Sequence, residues 1–247
     1  MPQYRLTVEY DGRRFEGWQL QPGERRTIQG ALHEALRRVT GESARAVGAG
    51  RTDAGVHAEA QVAGVGLERE VDPHWLRRAL NGVLPAEVAV VGCERVSDDF
   101  HARYDARSKL YHYRVWNGRD RSPLRSARSY WVRRPLDLAA MHQAAEALRG
   151  KHDFQSFRAA GSEVRSSVRT LHRVELAGQA GAAIELFVEG DGFLRHMVRI
   201  LAGTLVEVGL GRRSPDTIPA LLAARDRARA GRTAPPHALT LVSVNYA

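Results

Sequence analysis

An arginine and an aspartate stand two residues apart in the stretch GAGRTDAGVH, residues 48–57, which otherwise consists mainly of small residues. Glycine beside a charged residue indicates a backbone that turns tightly or approaches another group closely. Asp53 has two interpretations: a carboxylate that does chemistry, or an Asx residue that hydrogen-bonds its own turn. The choice between them depends on the composition of the chain and on its other motifs.

Several familiar sites are excluded by the sequence. The phosphate-binding pattern G-x-G-x-x-G fits Gly48 and Gly50 but has Asp53 in place of its last glycine, and no G-K-[ST] follows. The ten histidines show no zinc-binding spacing, and Cys93 is the single cysteine, which excludes an internal disulfide framework or a thiolate metal cluster. No G-x-S-x-G elbow accompanies a serine. We therefore expect neither a metal nor a cofactor.

The charge of the chain indicates a polyanionic partner. Its 37 lysine and arginine residues outnumber 28 acidic ones, for a net charge of +9, and Lys109 and Lys151 are the only lysines. Arginine forks match phosphate geometry and stack on bases, so nucleic acid is the favoured partner. The alternative is that an arginine-rich and alanine-rich chain only reflects a biased genome.

Two segments mix arginine with aromatic residues. They are YDGRRFEGWQLQ at 10–21 and DDFHARYDARSKLYHYR at 98–114. Such mixtures contact phosphates and stack on unpaired bases, although each aromatic taken singly is more often a core residue. Arg199 interrupts an apolar helix face, either as a surface arginine with a buried stem or as a buried arginine that needs a carboxylate partner.

The order of elements predicts an α+β fold. The first hundred residues alternate as β-α-β-β-α-β, which is the ferredoxin-like split βαβ unit, and the remainder repeats the theme. We expect two such halves, 1–104 and 105–247, with antiparallel sheets side by side and a cleft between them. The chain enters a strand directly after Met1 and has no long apolar run, so we expect a cytoplasmic protein without a signal peptide.

Several motifs are distributed along the whole chain. They are Tyr10, Asp11, Gly12, Phe15, Gly17, Trp18, Gln19 and Gln21, then GRTDAGVHA at 50–58, DDFHAR at 98–103, Tyr111, DFQSF at 153–157, HMVR at 196–199 and the final LTLVSVNY. This set resembles the TruA family of tRNA pseudouridine synthases, and the match of GRTDAGVHA to the family's catalytic loop is highly specific. Ala238 and Thr240 depart from the family, which often has glycine and tyrosine there, and this concerns the shape of the uridine pocket.

The resemblance implies an isomerase that converts uridine to pseudouridine without redox chemistry or a metal. It implies that Asp53 is the catalytic carboxylate, acting as nucleophile or as base at the ribose, and that Tyr111 lies against the target base. A nearby cation keeps a carboxylate charged in a water-poor cleft, and Arg199 is the predicted partner. Leu239 is expected beside Tyr111 in substrate binding.

The resemblance also implies tRNA as partner, with modification at positions 38 to 40 of the anticodon arm, and a homodimer whose interface involves 105–247. Arg51 is predicted to enter the stack that the flipped uridine leaves. Further RNA contacts are predicted at Phe100, His101, Arg103 and Arg119.

Two other functions stay open. A non-catalytic RNA-binding protein would use the same basic surface, but it has no need of an aspartate in a glycine loop. A carboxylate-dependent glycosidic hydrolase acting on RNA would use a pair of carboxylates, and Glu59 is the only other one near Asp53 in the sequence.

Overall fold

The computed structural model describes residues 1–23, 25–161 and 164–246. The first elements are β1 (Gln3–Tyr10), α1 (Ile28–Thr40), β2 (Val47–Gly48), β3 (His57–Gly66), α2 (Pro73–Asn81) and β4 (Val88–Val96). They are followed by β5 (Ser108–Trp116), β6 (Tyr130–Trp131), α3 (Leu138–Glu146), β7 (Gly150–Asp153), β8 (Val168–Gly178), β9 (Ala183–Gly190), α4 (Met197–Gly209), α5 (Ile218–Ala224) and β10 (Leu239–Asn245). The predicted α+β class is confirmed.

The chain forms two compact units. The first comprises residues from Met1 to Arg107 and the C-terminal residues from Thr240 onward, and the second runs from Ser108 to Leu239. The C-terminal strand thus belongs to the first unit, whereas the division by sequence assigned it to the second half. The ferredoxin-like description of the halves, and the cleft, stay predictions.

In the first unit, β1 lies between β4 and β3 and pairs antiparallel with both. β2 pairs antiparallel with β3, and β10 pairs parallel with β3 through Thr240 opposite His57. Alternate residues of β1 are fully buried, and the apolar faces of α1 and α2 are buried with them. Strands with this alternation bury one face and leave the other partly exposed.

Local residues in the sequence predict both limits of α1, at Thr27 and Gly41, and the start of α2, at Asp72 and Pro73. The Thr27 side chain accepts a hydrogen bond from the backbone N–H of Gly30, and Gly41 ends α1 with a left-handed φ of 78°. Asp72 accepts from the N–H of Trp75, and Pro73 occupies the first turn of α2. These are the expected N-terminal and C-terminal signals, so local chemistry fixes the limits of α1 and the start of α2.

In the second unit, the strands are ordered β5, β9, β8, β7, and each pairs antiparallel with the next. β6 pairs parallel with β5. The apolar spacing of FLRHMVRILAGTLVEVG at 193–209 predicts a helix over that range, but α4 begins only at Met197, because His196 adopts a left-handed φ of 59°. The segment SPDTIPALLAARDRARA at 214–230 also predicts a helix, but α5 covers only Ile218–Ala224 and ends where Arg225 has a left-handed φ of 51°. Each residue interrupts the right-handed backbone that a helix needs.

None of the helices in the described part of the chain combines the length and the apolar character that crossing a membrane requires.

Candidate active site

Asp53 lies in the loop between β2 and β3, and its side chain is half-buried. The N–H of Ala49 donates to the carbonyl of Val62 at 2.8 Å, which fixes the start of the loop. The N–H of Val56 donates to the carbonyl of Asp53 at 3.1 Å, and Gly55 between them has a φ of +80°. Gly55 is therefore required by a left-handed position in this turn.

The segment that follows β1 holds this loop in place. The N–H of Trp18 donates to the carbonyl of Thr52 at 3.0 Å, and the N–H of Gly55 donates to the carbonyl of Phe15 at 3.3 Å. A Cβ at Gly17 would lie 2.7 Å from the carbonyl oxygen of Thr52. The two segments approach each other too closely for any larger residue there, so the backbone beside Asp53 is positioned by residues some 40 positions away in sequence.

At two further glycines, a side chain would likewise collide with a neighbouring segment. A Cβ at Gly12 would lie 1.9 Å from the carbonyl oxygen of Val56. A Cβ at Gly48 would lie 2.5 Å from the indole of Trp18, which is fully buried. The small residues that mark this motif in the sequence thus allow the close packing of two loops.

A buried hydrogen-bond network stabilises the loop that carries Asp53. The hydroxyls of Tyr10 and Thr52 lie 2.8 Å apart, and both side chains are buried. The amide Nε2 of Gln61 donates to the carbonyl of Gly50 at 3.2 Å, and the side chain of Gln61 also bonds to Tyr10. Burial raises the pKa of Tyr10 well above its ordinary value, so its phenol stays protonated. Tyr10 belongs to the motifs that the sequence showed, but this network was not predicted, because Gln61 has the pattern of an ordinary strand residue.

Asp11 is a second carboxylate close to the loop. Its Oδ2 lies 2.6 Å from Nη2 of Arg13, and its Oδ1 lies 3.3 Å from Nδ1 of the buried His57. Hydrogen bonding from Arg13 lowers the pKa of Asp11 to about 2 against the opposing effect of burial. The Asp11 side chain also accepts from the N–H of Arg13 and caps a short helical turn. Asp11 is therefore an ionised, structurally engaged carboxylate.

Tyr111 and Phe193 form an aromatic pair in the second unit. Tyr111 lies on β5 opposite Val188 of β9, and only 7% of its surface is exposed. The ring of Phe193 meets it edge to face, with centroids 4.9 Å apart. This is a favourable aromatic geometry that fixes the plane of the Tyr111 ring. Phe193 was not predicted as a site residue, although only Leu194 and Arg195 separate it from the HMVR motif.

Arg199 lies on α4 and is half-buried. Its Nε donates to the carbonyl of Ala234 at 2.9 Å, and the N–H of Ala234 donates back to the carbonyl of Arg199 at 3.1 Å. Gly203, one helical turn further on, admits the carbonyl of Arg232, which would lie 1.8 Å from a Cβ there. The segment containing Arg232 and Ala234 thus packs directly on α4 and orients the Arg199 guanidinium. Arg199 is therefore a half-buried arginine whose Nε is engaged by the backbone of Ala234.

The residues predicted to bind RNA or uridine occupy different environments. Arg51, Arg103 and Arg119 are exposed, Arg119 in the loop between β5 and β6. His101 is half-buried. The Phe100 ring packs against Tyr246 at a centroid distance of 5.3 Å.

The start of β10 is densely packed. Leu239, predicted beside the substrate, is 5% exposed, and its neighbours Ala238 and Thr240 are each 1% exposed. Of the three predicted catalytic residues, Asp53 belongs to the first unit, and Tyr111 and Arg199 belong to the second. Within the described residues, no group of three or more histidine, cysteine, aspartate or glutamate side chains is arranged to hold a metal ion.

Known proteins are similar to this chain over its full length. The family described as tRNA pseudouridine synthase matches residues 6–105 and 144–247. The tRNA pseudouridine synthase A of Myxococcus xanthus is 48% identical over 246 residues, covering 100% of this chain and 92% of that protein. The protein of the same name from Moorella thermoacetica is 47% identical over 247 residues, covering 100% of both chains.

Among solved structures, a chain in the crystal structure of a Cbf5-Nop10-Gar1 complex is similar, with 13% identity and a TM-score of 0.37. That match covers 96% of this chain and 57% of the other, so this chain spans little more than half of its length. The matches at 47% and 48% identity extend over the loop around Asp53 and over both units. The chain therefore belongs to the tRNA pseudouridine synthase family.

Proposed function

We propose that this chain converts uridine to pseudouridine at positions 38 to 40 in the anticodon arm of tRNA, with Asp53 as the catalytic carboxylate. The observation that carries the proposal is the placement of Asp53 in a loop whose backbone is fixed on both sides by hydrogen bonds and close glycine contacts. Catalysis by a side chain depends on such a fixed position, because misplacement by about 1 Å can cost a hundredfold in rate.

The reaction is an isomerisation. The bond between N1 of the base and C1′ of the ribose breaks, the base rotates, and C5 forms a new bond to C1′. C5 loses a proton and N1 gains one, so atoms and electrons balance without an oxidant, a reductant or water. Asp53 assists at the ribose, either by attacking C1′ or by removing a proton from the sugar, and both routes need an ionised carboxylate.

Tyr111 and Arg199 complete the proposed catalytic set. The ring of Tyr111, held by Phe193, provides a fixed aromatic surface against which the uracil can stack while it is detached. We assign Tyr111 to positioning of the base, because its ring is the part of the residue that Phe193 holds in a fixed plane. Arg199 is proposed to act through its positive charge, which can stabilise negative charge that develops in the transition state.

The proposed partner is tRNA, bound through its backbone and its unpaired bases. Arg103 and Arg119 are exposed and can each neutralise a phosphate. Arg51 stands two residues before Asp53 and is the group proposed to fill the stack that the flipped uridine leaves. His101 contributes at the same surface as Arg103. Phe100 is proposed as a further RNA contact, and Leu239 as a substrate-binding residue together with Tyr111. The proposal includes a homodimer that acts in the cytoplasm.

Two rival functions are less well supported. An RNA-binding protein without catalysis gives no reason for two glycines, Gly12 and Gly17, to pack against the backbone around Asp53. A glycosidic hydrolase needs a second carboxylate with a separate acid or base role. Asp11, which lies beside this loop, has its pKa lowered to about 2 and is held by Arg13, so it is unsuited to donate a proton.

The proposal is tested by incubating the protein with an unmodified tRNA transcript that carries uridines at positions 38 to 40, followed by nucleoside analysis. We expect pseudouridine to form and no free uracil. A matched transcript with cytidines at these positions should yield none. Free uracil would establish the hydrolase, and pseudouridine from the cytidine transcript would place the target elsewhere in the tRNA.

A further inference from the structure

Tyr104 presents an aromatic ring to solvent in the turn formed by residues 101–105. It is 75% exposed, whereas Tyr4, Tyr10 and Tyr113 in the described part of the chain are almost fully buried. A tyrosine buries a large apolar area when it packs in a core, and Tyr104 forgoes that gain. Tyr104 lies in the arginine-rich and aromatic segment 98–114, in which the sequence predicted individual RNA contacts at its neighbours Phe100, His101 and Arg103.

The turn that carries Tyr104 is held by a dense set of hydrogen bonds. Nδ1 of His101 accepts from the backbone N–H of Arg103 at 3.1 Å and from that of Tyr104 at 3.3 Å. Oδ2 of Asp105 accepts from the N–H of His101 at 2.8 Å, and the N–H groups of Tyr104 and Asp105 both donate to the carbonyl of His101 at 3.1 Å. The exposed ring thus projects from a fixed backbone.

Two neighbouring side chains support the ring of Tyr104. The imidazole of His101 lies with its centroid 4.2 Å from that of Tyr104 at an interplanar angle of 36°. The guanidinium carbon of Arg103 lies 5.8 Å from the ring centroid. The aromatic surface is therefore pre-oriented on His101 and accompanied by an exposed positive charge.

The turn is anchored to the same buried cluster as the catalytic loop. Ala102, between His101 and Arg103, packs with Ala49 and Val62, and Ala49 begins the loop that carries Asp53. The carbonyl of Ala102 also accepts a hydrogen bond from the hydroxyl of Tyr246 at 2.6 Å. Tyr104 and the Asp53 loop thus share one structural base in the first unit.

We propose that the ring of Tyr104 is a stacking platform for an unpaired base of the RNA substrate, with Arg103 on the adjoining phosphate. This inference rests on the proposed function. An exposed ring beside an arginine matches the stacking of single-stranded RNA bases on aromatic side chains. The net charge of +9 favours a nucleic acid over a protein surface as the occupant.

The test uses an anticodon stem-loop RNA carrying 2-aminopurine at one loop position at a time. Its fluorescence falls when the base stacks on an aromatic ring. We expect the wild-type protein to quench one position, Tyr104→Phe to keep that quenching, and Tyr104→Ala to lose it. Loss of one stacked base should weaken binding by about fivefold to a hundredfold. The salt slope of binding should stay unchanged, because a neutral ring releases no counterion.

Matched controls separate stacking from other effects. Trp75→Ala removes another exposed aromatic of the first unit, which is 48% exposed on α2, and should leave the quenching intact. A blunt RNA duplex without unpaired bases should bind the Tyr104→Ala variant as tightly as the wild type. Sedimentation should give the same association state for both proteins.

Three results would overturn the inference. The first is that Tyr104→Ala still quenches the loop position that the wild type quenches, and the second is that Tyr104→Ala loses as much affinity for the blunt duplex as for the stem-loop. The third is a changed association state of Tyr104→Ala with quenching retained, which would mark Tyr104 as a protein contact. Pseudouridine formation by the wild type is measured in parallel. If the wild type forms pseudouridine and Tyr104→Ala quenches 2-aminopurine as the wild type does, only the inference about Tyr104 fails. If the wild type forms no pseudouridine, the proposed function itself is contradicted.

Discussion

The hydroxyl of Tyr10, at the end of β1, lies 2.8 Å from Oγ1 of Thr52, the residue directly before Asp53. Both side chains are buried, and Gln61 joins them to the carbonyl of Gly50. The backbone on the N-terminal side of Asp53 is therefore tied to the central strand of the first unit. We infer that Tyr10 and Thr52 position the Asp53 carboxylate.

Replacement of Thr52 tests this positioning. Thr52→Val keeps the shape of the side chain but removes the hydroxyl, whereas Thr52→Ser keeps the hydroxyl. We expect Thr52→Val to lower kcat by about tenfold or more with little change in KM for tRNA, because only the reacting geometry is disturbed. Thr52→Ser should restore most of kcat. Equal kcat values for the valine and serine variants would show that the hydroxyl contact does not position Asp53.

Tyr111 is expected to act through its ring. Tyr111→Phe keeps the aromatic surface against Phe193 and loses the hydroxyl, whereas Tyr111→Leu loses both. The single-turnover rate at saturating protein should fall far more in the leucine variant, because the ring positions the base. Thermal unfolding of both variants checks that β5 stays packed. Near-wild-type rates in both would remove Tyr111 from the site.

Arg199 is expected to act through its charge. Arg199→Leu and Arg199→Lys both lose the Nε hydrogen bond to Ala234, which costs about 1 kcal/mol of stability in each case. Lysine keeps the positive charge. We expect the leucine variant to lose about a hundredfold or more in single-turnover rate, and the lysine variant to retain part of that activity. If the two variants have the same rate, the charge of Arg199 does not contribute to the reaction.

The ion pair between Asp11 and Arg13 should make stability depend on pH. The folded-state pKa of Asp11 is about 2, below its ordinary value of 3.8, so its contribution is present above about pH 4 and is lost as the pH falls toward 2. We expect Arg13→Gln to lower the unfolding free energy by about 1 kcal/mol at neutral pH, since the pair is partly exposed.

Urea unfolding at pH 7, 5 and 3 measures this effect. The difference between wild type and Arg13→Gln should be the same at pH 7 and 5 and smaller at pH 3. Arg14→Gln is the control, because Arg14 is 79% exposed and lies 3.5 Å from Glu87. It should change stability by less than about 0.5 kcal/mol. A difference for Arg13→Gln that grows at low pH would contradict the assigned pKa direction.

Local sequence signals predicted much of the fold. Thr27 and Gly41 delimit α1, and Asp72 with Pro73 begins α2, because these residues act on their immediate neighbours. Strand β7 was not predicted, since its four residues GKHD lack an apolar alternation and pair through their backbone with β8. β7 is a strand because its backbone pairs with β8, and the residues of β7 themselves carry no signal of that pairing.

The candidate site was predictable only in part. The residue types around Asp53 indicated a tight backbone, but the reason for Gly12, Gly17 and Gly48 is contact with another segment of the chain. Such long-range contacts leave no periodic signal in the sequence. The same holds for Phe193 beside Tyr111 and for Gln61 beneath the loop.

The role of Asp53 is tested most directly by Asp53→Asn, which removes the charge and keeps the size of the side chain. The measurement is nucleoside analysis of an unmodified tRNA transcript after incubation with wild-type or variant protein, with tRNA affinity measured in parallel. We predict that the wild type forms pseudouridine and that the variant forms none while binding tRNA within a few fold of the wild type. Pseudouridine formed by a well-purified Asp53→Asn variant would contradict the account.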